Sequence, residues 1–235
     1  MGELRVAMVS GANRGIGLAI ARELARRGYA LSLGLRRPET LPADLGALAP
    51  DRVLAQRYDA NEPSAGDAWV AATVARFGRI DILVNNAGIS RDVPIETGTD
   101  ADLDALLDVN VKAPFRLTRA AFPHLKASGR GRVVNVASLS GKRVLGLNAG
   151  YQMAKHAVIA LNHAIRRAGW DHGIRSTALC PGFVNTDMVA GRPGLDMREV
   201  TQPEDLATLV GTVVDLPNGA AVAELLVNWR HEPLL

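Results

Sequence analysis

The sequence predicts an α/β protein: a single domain over residues 1–235, built on one doubly wound parallel sheet of about seven strands with helices on both faces. Three observations carry that expectation. Short, nearly unbroken apolar runs alternate with longer stretches of helical periodicity, and a strand that is apolar on both sides must be covered on both sides. Hydrophobic residues make up 48% of the chain, enough for a large core. No linker, repeat or change of composition divides the series.

Taken in order, RVAMVS (5–10) reads as the first buried strand, and GIGLAIARELARRG (15–28) as an amphipathic helix stopped at Gly28. YALSLGL (29–35) is the second strand, a looser Pro-, Leu- and Ala-rich stretch follows, and VLAQRYD (53–59) is the third. A helix over 64–77 leads into IDILVNNAG (80–88), and a long helix over 100–127 into GRVVNVAS (131–138). Residues 151–168 have helical periodicity and IRSTALCPG (174–182) reads as a strand. A helix over 203–215 and a last strand, VAELLVN (222–228), complete the series.

Composition narrows the function. With 27 basic and 24 acidic residues the net charge is only +3, and aromatic residues are 4%. So small an excess with so few stacking platforms argues against nucleic-acid binding. The lone Cys180 excludes an internal disulfide and fits a reducing compartment. The N-terminal segment, with Glu3 and Arg5 before an early glycine loop, lacks the features of a signal peptide, and no apolar run reaches the ~20 residues of a membrane span. A cytoplasmic protein without membrane association is expected. The histidines at 124, 156, 163, 172 and 231 show no ligand grouping, so no metal is expected.

SGANRGIG (10–17) joins the first strand to the first helix. Glycines at 11, 15 and 17 allow a tight turn and let a pyrophosphate approach the free N–H groups of a helix N-terminus. A carboxylate at the end of the second strand would favour a ribose 2′-hydroxyl, but that strand ends in Arg36 and Arg37, and Arg14 lies in the loop. Guanidinium groups suit a 2′-phosphate, so NADP is expected rather than NAD.

Tyr151 and Lys155, four residues apart in a helical stretch, share one face. Both have reference pKa values near ~10, and an ammonium beside a phenol is expected to pull the phenol towards neutrality.

In these residues the chain resembles the short-chain dehydrogenase/reductases, Rossmann-fold NAD(P)-dependent oxidoreductases, and the resemblance covers nearly the whole sequence. Gly11, Gly15 and Gly17 match the family's cofactor loop, with Asn13, Arg14 and Ile16 between them. Asp59, followed by Ala60, matches the acidic residue that contacts adenine. Asn85, Asn86, Ala87 and Gly88 match its NNAG segment, although Asn86 could instead brace the fourth strand. Pro181 and Gly182, with Val184 and Thr186 beyond them, match the element near the nicotinamide. Asn110, Ser138, Tyr151 and Lys155 match the catalytic tetrad. By resemblance, Tyr151 is the general acid–base and Lys155 lowers its pKa and bonds the nicotinamide ribose. Ser138 holds the substrate oxygen, and Asn110 holds a water that links Lys155 to solvent.

The substrate is less legible. Met188, Val189, Leu195 and Met197 are candidate apolar lining for a small or medium carbonyl compound or alcohol; Arg143 and Arg192 could meet an acidic group on it, but surface placement is the expectation. A 3-oxoacyl carrier-protein reductase is an alternative, but the tail AELLVNWRHEPLL lacks the glycine-pair ending common there, and His172 stands where a basic residue is frequent. A non-catalytic NADP-binding sensor or scaffold is the alternative of another class. The helices over 100–127 and 151–168 could form a four-helix interface, so a homodimer or homotetramer is expected.

Overall fold

The computed structural model describes residues 4–192 and 194–231. Its strands are β1 (Val6–Ser10), β2 (Ala30–Leu35), β3 (Val53–Arg57), β4 (Ile82–Asn85), β5 (Arg132–Val136), β6 (Arg175–Pro181) and β7 (Glu224–Val227). The helices are α1 (Gly15–Arg26), the short α2 (Ala43–Gly46), α3 (Ala65–Phe77), α4 (Asp100–Leu107), α5 (Ala113–Ala127), α6 (Ala149–Gly169) and α7 (Pro203–Asp215). All seven strands form one sheet in the order β3-β2-β1-β4-β5-β6-β7, and every neighbouring pair is parallel.

The unbroken apolar runs are explained by burial on both faces. Along β1, Ala7 and Val9 enter one layer and Met8 the other; along β4, Ile82 and Val84 oppose Leu83. The first layer is closed by Ile20 and Leu24 of α1 and Leu206 and Val210 of α7. The second is closed by Trp69 of α3, Leu117 and Ala121 of α5 and Ile165 of α6. Where β2 breaks its apolar run, Ser32 accepts the Trp69 indole N–H at 2.8 Å and meets Thr73 at 2.7 Å, so the buried hydroxyl is satisfied. No helix among the described residues is long and apolar enough to cross a membrane.

A second polar feature crosses the sheet. Asn85 Nδ2 donates to Asn135 Oδ1 at 2.9 Å and to Thr118 Oγ1 at 3.0 Å. Asn135 Nδ2 donates to Asn162 Oδ1 and Ser176 Oγ, both at 3.1 Å, and the Ser176 hydroxyl donates to Asn162 Oδ1 at 2.6 Å. Asn162 Nδ2 then reaches the Ala223 carbonyl at 3.0 Å. This buried ladder locks α6 to β4, β5, β6 and the segment entering β7.

Two expectations change. The helix expected over 100–127 is interrupted by a π-helical turn at Asp108–Lys112. Pro114 has no N–H to offer the Asn110 carbonyl four residues earlier, and its ring crowds that carbonyl, so the ladder widens there. The helix expected from 151 begins at Ala149 because Asn148 caps it, its Oδ1 accepting the Tyr151 N–H at 3.2 Å. The strand order reverses between β1 and β4, which opens a crevice at the carboxyl ends of the strands.

Candidate active site

That crevice is a cleft of about 1160 Å³. At its β1 end, Gly11 and Gly15 hold φ values of 68° and 53°, which side-chain-bearing residues rarely adopt. A Cβ on Gly17 would run into the Asn86 amide and the Gly11 carbonyl. Helix α1 opens with Arg14 extended, without a side-chain cap and without an acidic residue in its first turn. Its first N–H groups are therefore left for an anion, and the cradle fits the pyrophosphate of a dinucleotide. Asn86 holds the loop in shape: its Nδ2 donates to the Ser10 and Gly11 carbonyls at 2.9 and 3.2 Å, and its N–H donates to Ser10 Oγ at 2.9 Å. It braces the glycine loop, a different target from the fourth strand suggested by the sequence.

Arg36 and Arg37 follow β2 with exposed side chains on the cleft. Arg14 lies on the same cleft but is paired with Asp187 at 2.7 Å. Asp59 Oδ1 accepts the Asn61 N–H and amide, both at 3.0 Å, beside buried Ala60. Thr186 lies over Gly15, whose added Cβ would sit 3.2 Å from its methyl group. Asn13, Ile16, Ala87, Gly88, Pro181, Gly182 and Val184 also line the cleft, whereas Gly17 packs behind it.

Ser138, Tyr151 and Lys155 converge on the other half. Asn148 sets the start of α6 by accepting the Val93 N–H at 3.1 Å and donating to the Arg91 carbonyl at 2.7 Å. Ser138 Oγ accepts the Ser140 N–H at 3.1 Å, donates to the Pro181 carbonyl at 3.4 Å, and hydrogen-bonds Tyr151. Lys155 is buried, with Nζ donating to the Val136 carbonyl at 2.9 Å and lying 5.6 Å from the Tyr151 ring centroid. Burial pulls Lys155 down to about 8. Burial likewise raises the Tyr151 pKa, against the Ser138 hydrogen bond and the charge of Arg192. The expected acidification by Lys155 is not what this geometry produces: the ammonium is engaged by a strand carbonyl, and desolvation of the phenol dominates.

Asn110 differs more sharply. It is buried in the π turn and does not line the cleft. Its Oδ1 accepts the Ile89 N–H and its Nδ2 donates to the Ile89 carbonyl, both at 2.9 Å. The side chain is thus spent on holding the segment after β4. What remains for a water relay is its main-chain carbonyl, which Pro114 deprives of the usual helical donor.

Residues 5–193 match the short chain dehydrogenase family model. The chain belongs to the short-chain dehydrogenase/reductase family. It is 41% identical over 230 residues to an agropine synthesis reductase of Rhizobium rhizogenes, covering 97% of this chain and 53% of that one. The chain spans about half the length of the first curated relatives it matches. Among solved structures it resembles an alcohol dehydrogenase from Thermococcus sibiricus complexed with 5-hydroxy-NADP, with a TM-score of 0.87, 30% identity and 96% of each chain covered. A 3-ketoacyl-(acyl-carrier-protein) reductase from Brucella melitensis complexed with NADH gives a TM-score of 0.87 at 27% identity, covering 96% of this chain and 97% of that one.

In this short-chain dehydrogenase/reductase several site residues escaped the sequence. Ser10 ties β1 to Asn86 and Ala87, and Asn148 is the cap that anchors the tyrosine-bearing helix. Trp229 and Arg230, beyond β7, fold back onto the cleft, which nothing local in the tail foretells. Arg192 is exposed, as expected, and Arg143 is half-buried; both line the cleft. Met188, Val189 and Met197 line it as expected, while Leu195 lines an adjoining cavity of about 370 Å³. Cys180 is fully buried, its thiol pushed up to about 11, as befits a packed residue rather than a nucleophile.

Proposed function

We propose that the chain is an NADP(H)-dependent oxidoreductase that transfers hydride reversibly between nicotinamide and a small or medium carbonyl compound or secondary alcohol, acting as one dinucleotide-binding and catalytic domain. The observation that carries this reading is the convergence of Tyr151, Ser138 and Lys155 on the cleft that also holds the uncapped start of α1. When bound, the dinucleotide supplies or accepts the hydride. The chain's own residues handle the proton and the oxygen. Tyr151, kept protonated at neutral pH by burial, donates H⁺ to the carbonyl oxygen that Ser138 holds by a hydrogen bond. Lys155, titrating near 8, replaces that proton, and a water on the Asn110 carbonyl links Lys155 to solvent. In the reverse direction Tyr151 is the base.

The preference for NADP rests on Arg36 and Arg37, which have no carboxylate partner among the described residues and stand where an acid would repel a 2′-phosphate. Relatives complexed with an NADP derivative and with NADH are both similar to this chain, so the arginines carry the choice. The expected kcat/KM with NADPH exceeds that with NADH by roughly tenfold or more, and Arg36→Ala with Arg37→Ala together erase the difference. A wild-type preference for NADH contradicts the assignment.

Likeness to the Brucella ketoacyl reductase keeps a 3-oxoacyl carrier-protein substrate as the second reading. A panel of ketones, aldehydes, quinones and 3-oxoacyl thioesters, assayed with NADPH, separates the two. Turnover of at least one member is expected; none across the panel supports a non-catalytic NADP-binding protein instead.

A further inference from the structure

After β6 and after β7, two arginines lie against a pair of aromatic rings on the cleft. The Phe183 and Trp229 rings are tilted at 55° to each other with centroids 6.2 Å apart. The Arg192 guanidinium lies 5.5 Å from the Phe183 centroid and that of Arg230 lies 4.7 Å from the Trp229 centroid. Both arginines line the main cleft and the adjoining cavity of about 370 Å³. Surface arginines elsewhere, such as Arg22, Arg57 and Arg198, are closed by Asp44, Glu62 and Asp196. Neither Arg192 nor Arg230 is paired with a carboxylate among the described residues. Asp187, an acid of the same cleft, is held by Arg14 at the glycine loop. Arg192 is also near enough to Tyr151 for its charge to act on the phenol.

We propose that this wall recognises an anionic oxygen group, a carboxylate or a phosphate ester, carried by the carbonyl substrate. Arg192 and Arg230 supply the N–H forks, whose planar geometry matches an oxyanion. Stacking on Phe183 and Trp229 holds the forks in place before binding. Leu145, Met188 and Met197 line the same cleft, so the anion sits at the end of an apolar chain rather than on a sugar. This inference rests on the reductase reading of the cleft and adds its substrate class.

The test compares straight-chain oxohexanoates, differing in the position of the ketone, with their methyl esters, using NADPH. A parallel pair compares an acetoacetyl thioester of phosphopantetheine with that of pantetheine. In the wild type, one charged member is favoured over its neutral counterpart by roughly tenfold or more in kcat/KM, chiefly through KM. The ratio collapses towards unity in Arg192→Gln/Arg230→Gln. Preference among the oxohexanoates identifies a carboxylate, and preference in the thioester pair a phosphate ester. Calorimetric titration of hexanoate and of inorganic phosphate reads the wall without turnover, and at least one binds the wild type more tightly than the double variant. Reduction of neutral members at rates equal to the charged ones, with no binding difference, overturns the anion site while leaving the reductase reading intact. Absence of any reduction together with Arg-dependent anion binding overturns the reductase reading and keeps the site.

Discussion

Lys155 shows how one buried side chain couples stability to chemistry. It sits on α6, is buried, and its Nζ donates to the Val136 carbonyl; burial moves its titration from 10.5 to about 8. Between those values the unfolded chain binds more protons than the folded one, and the folded state gains stability as pH rises, by about 1.4 kcal/mol per unit. Below 8 the ammonium is charged in both states and its desolvation is a standing cost; above 10.5 it is neutral in both. Lys155→Met removes this dependence. Chemical denaturation across that window should show wild type gaining on the variant by on the order of 3 kcal/mol. A constant difference between the two would mean that Lys155 is solvated. The Tyr–Lys spacing was legible in the sequence because helical periodicity puts residues four apart on one face. The state of the pair was not, since it depends on which carbonyl receives the ammonium and how deeply the phenol is covered.

At the level of elements, strands such as β1 and β4 were legible because they are buried on both sides and their apolar runs have no competing reading. The π turn was not read, although Pro114 within the expected helix was its signal. The asparagine ladder was equally hidden, because Asn85, Asn135 and Asn162 are far apart in sequence and meet only when β4, β5 and α6 pack. Its role follows from satisfaction: Asn162→Ala removes the acceptor shared by Asn135 and Ser176 and the donor to Ala223. The expected loss is about 1–3 kcal/mol, seen as a lower Tm, with Tyr151 chemistry affected less than stability. An unchanged Tm would show that water or a neighbour replaces the amide.

For the whole molecule, the parallel order of the sheet brings segments from the start, middle and end of the described chain to one cleft. Gly11, Asn86, Ser138, Pro181 and Trp229 all lie on it. The glycine loop and the Tyr151 helix could be foreseen from local pattern, while the return of Trp229 and Arg230 to the cleft is a property of the complete fold. On the outside, α5 and α6 expose Phe115 and Met153, each about half accessible, which supports the proposal that these helices pair with those of a second copy. Light scattering should give a mass two or four times 25.0 kDa, and a species of 25.0 kDa would contradict it. The Tyr151 hydroxyl is proposed to deliver the proton in this cleft, and the decisive measurement compares wild type with Tyr151→Phe on a reducible carbonyl, with NADPH binding followed in parallel by fluorescence. A fall in kcat of about 10²–10⁴-fold with NADPH affinity kept is expected; near-normal kcat in the variant would remove Tyr151 from that role.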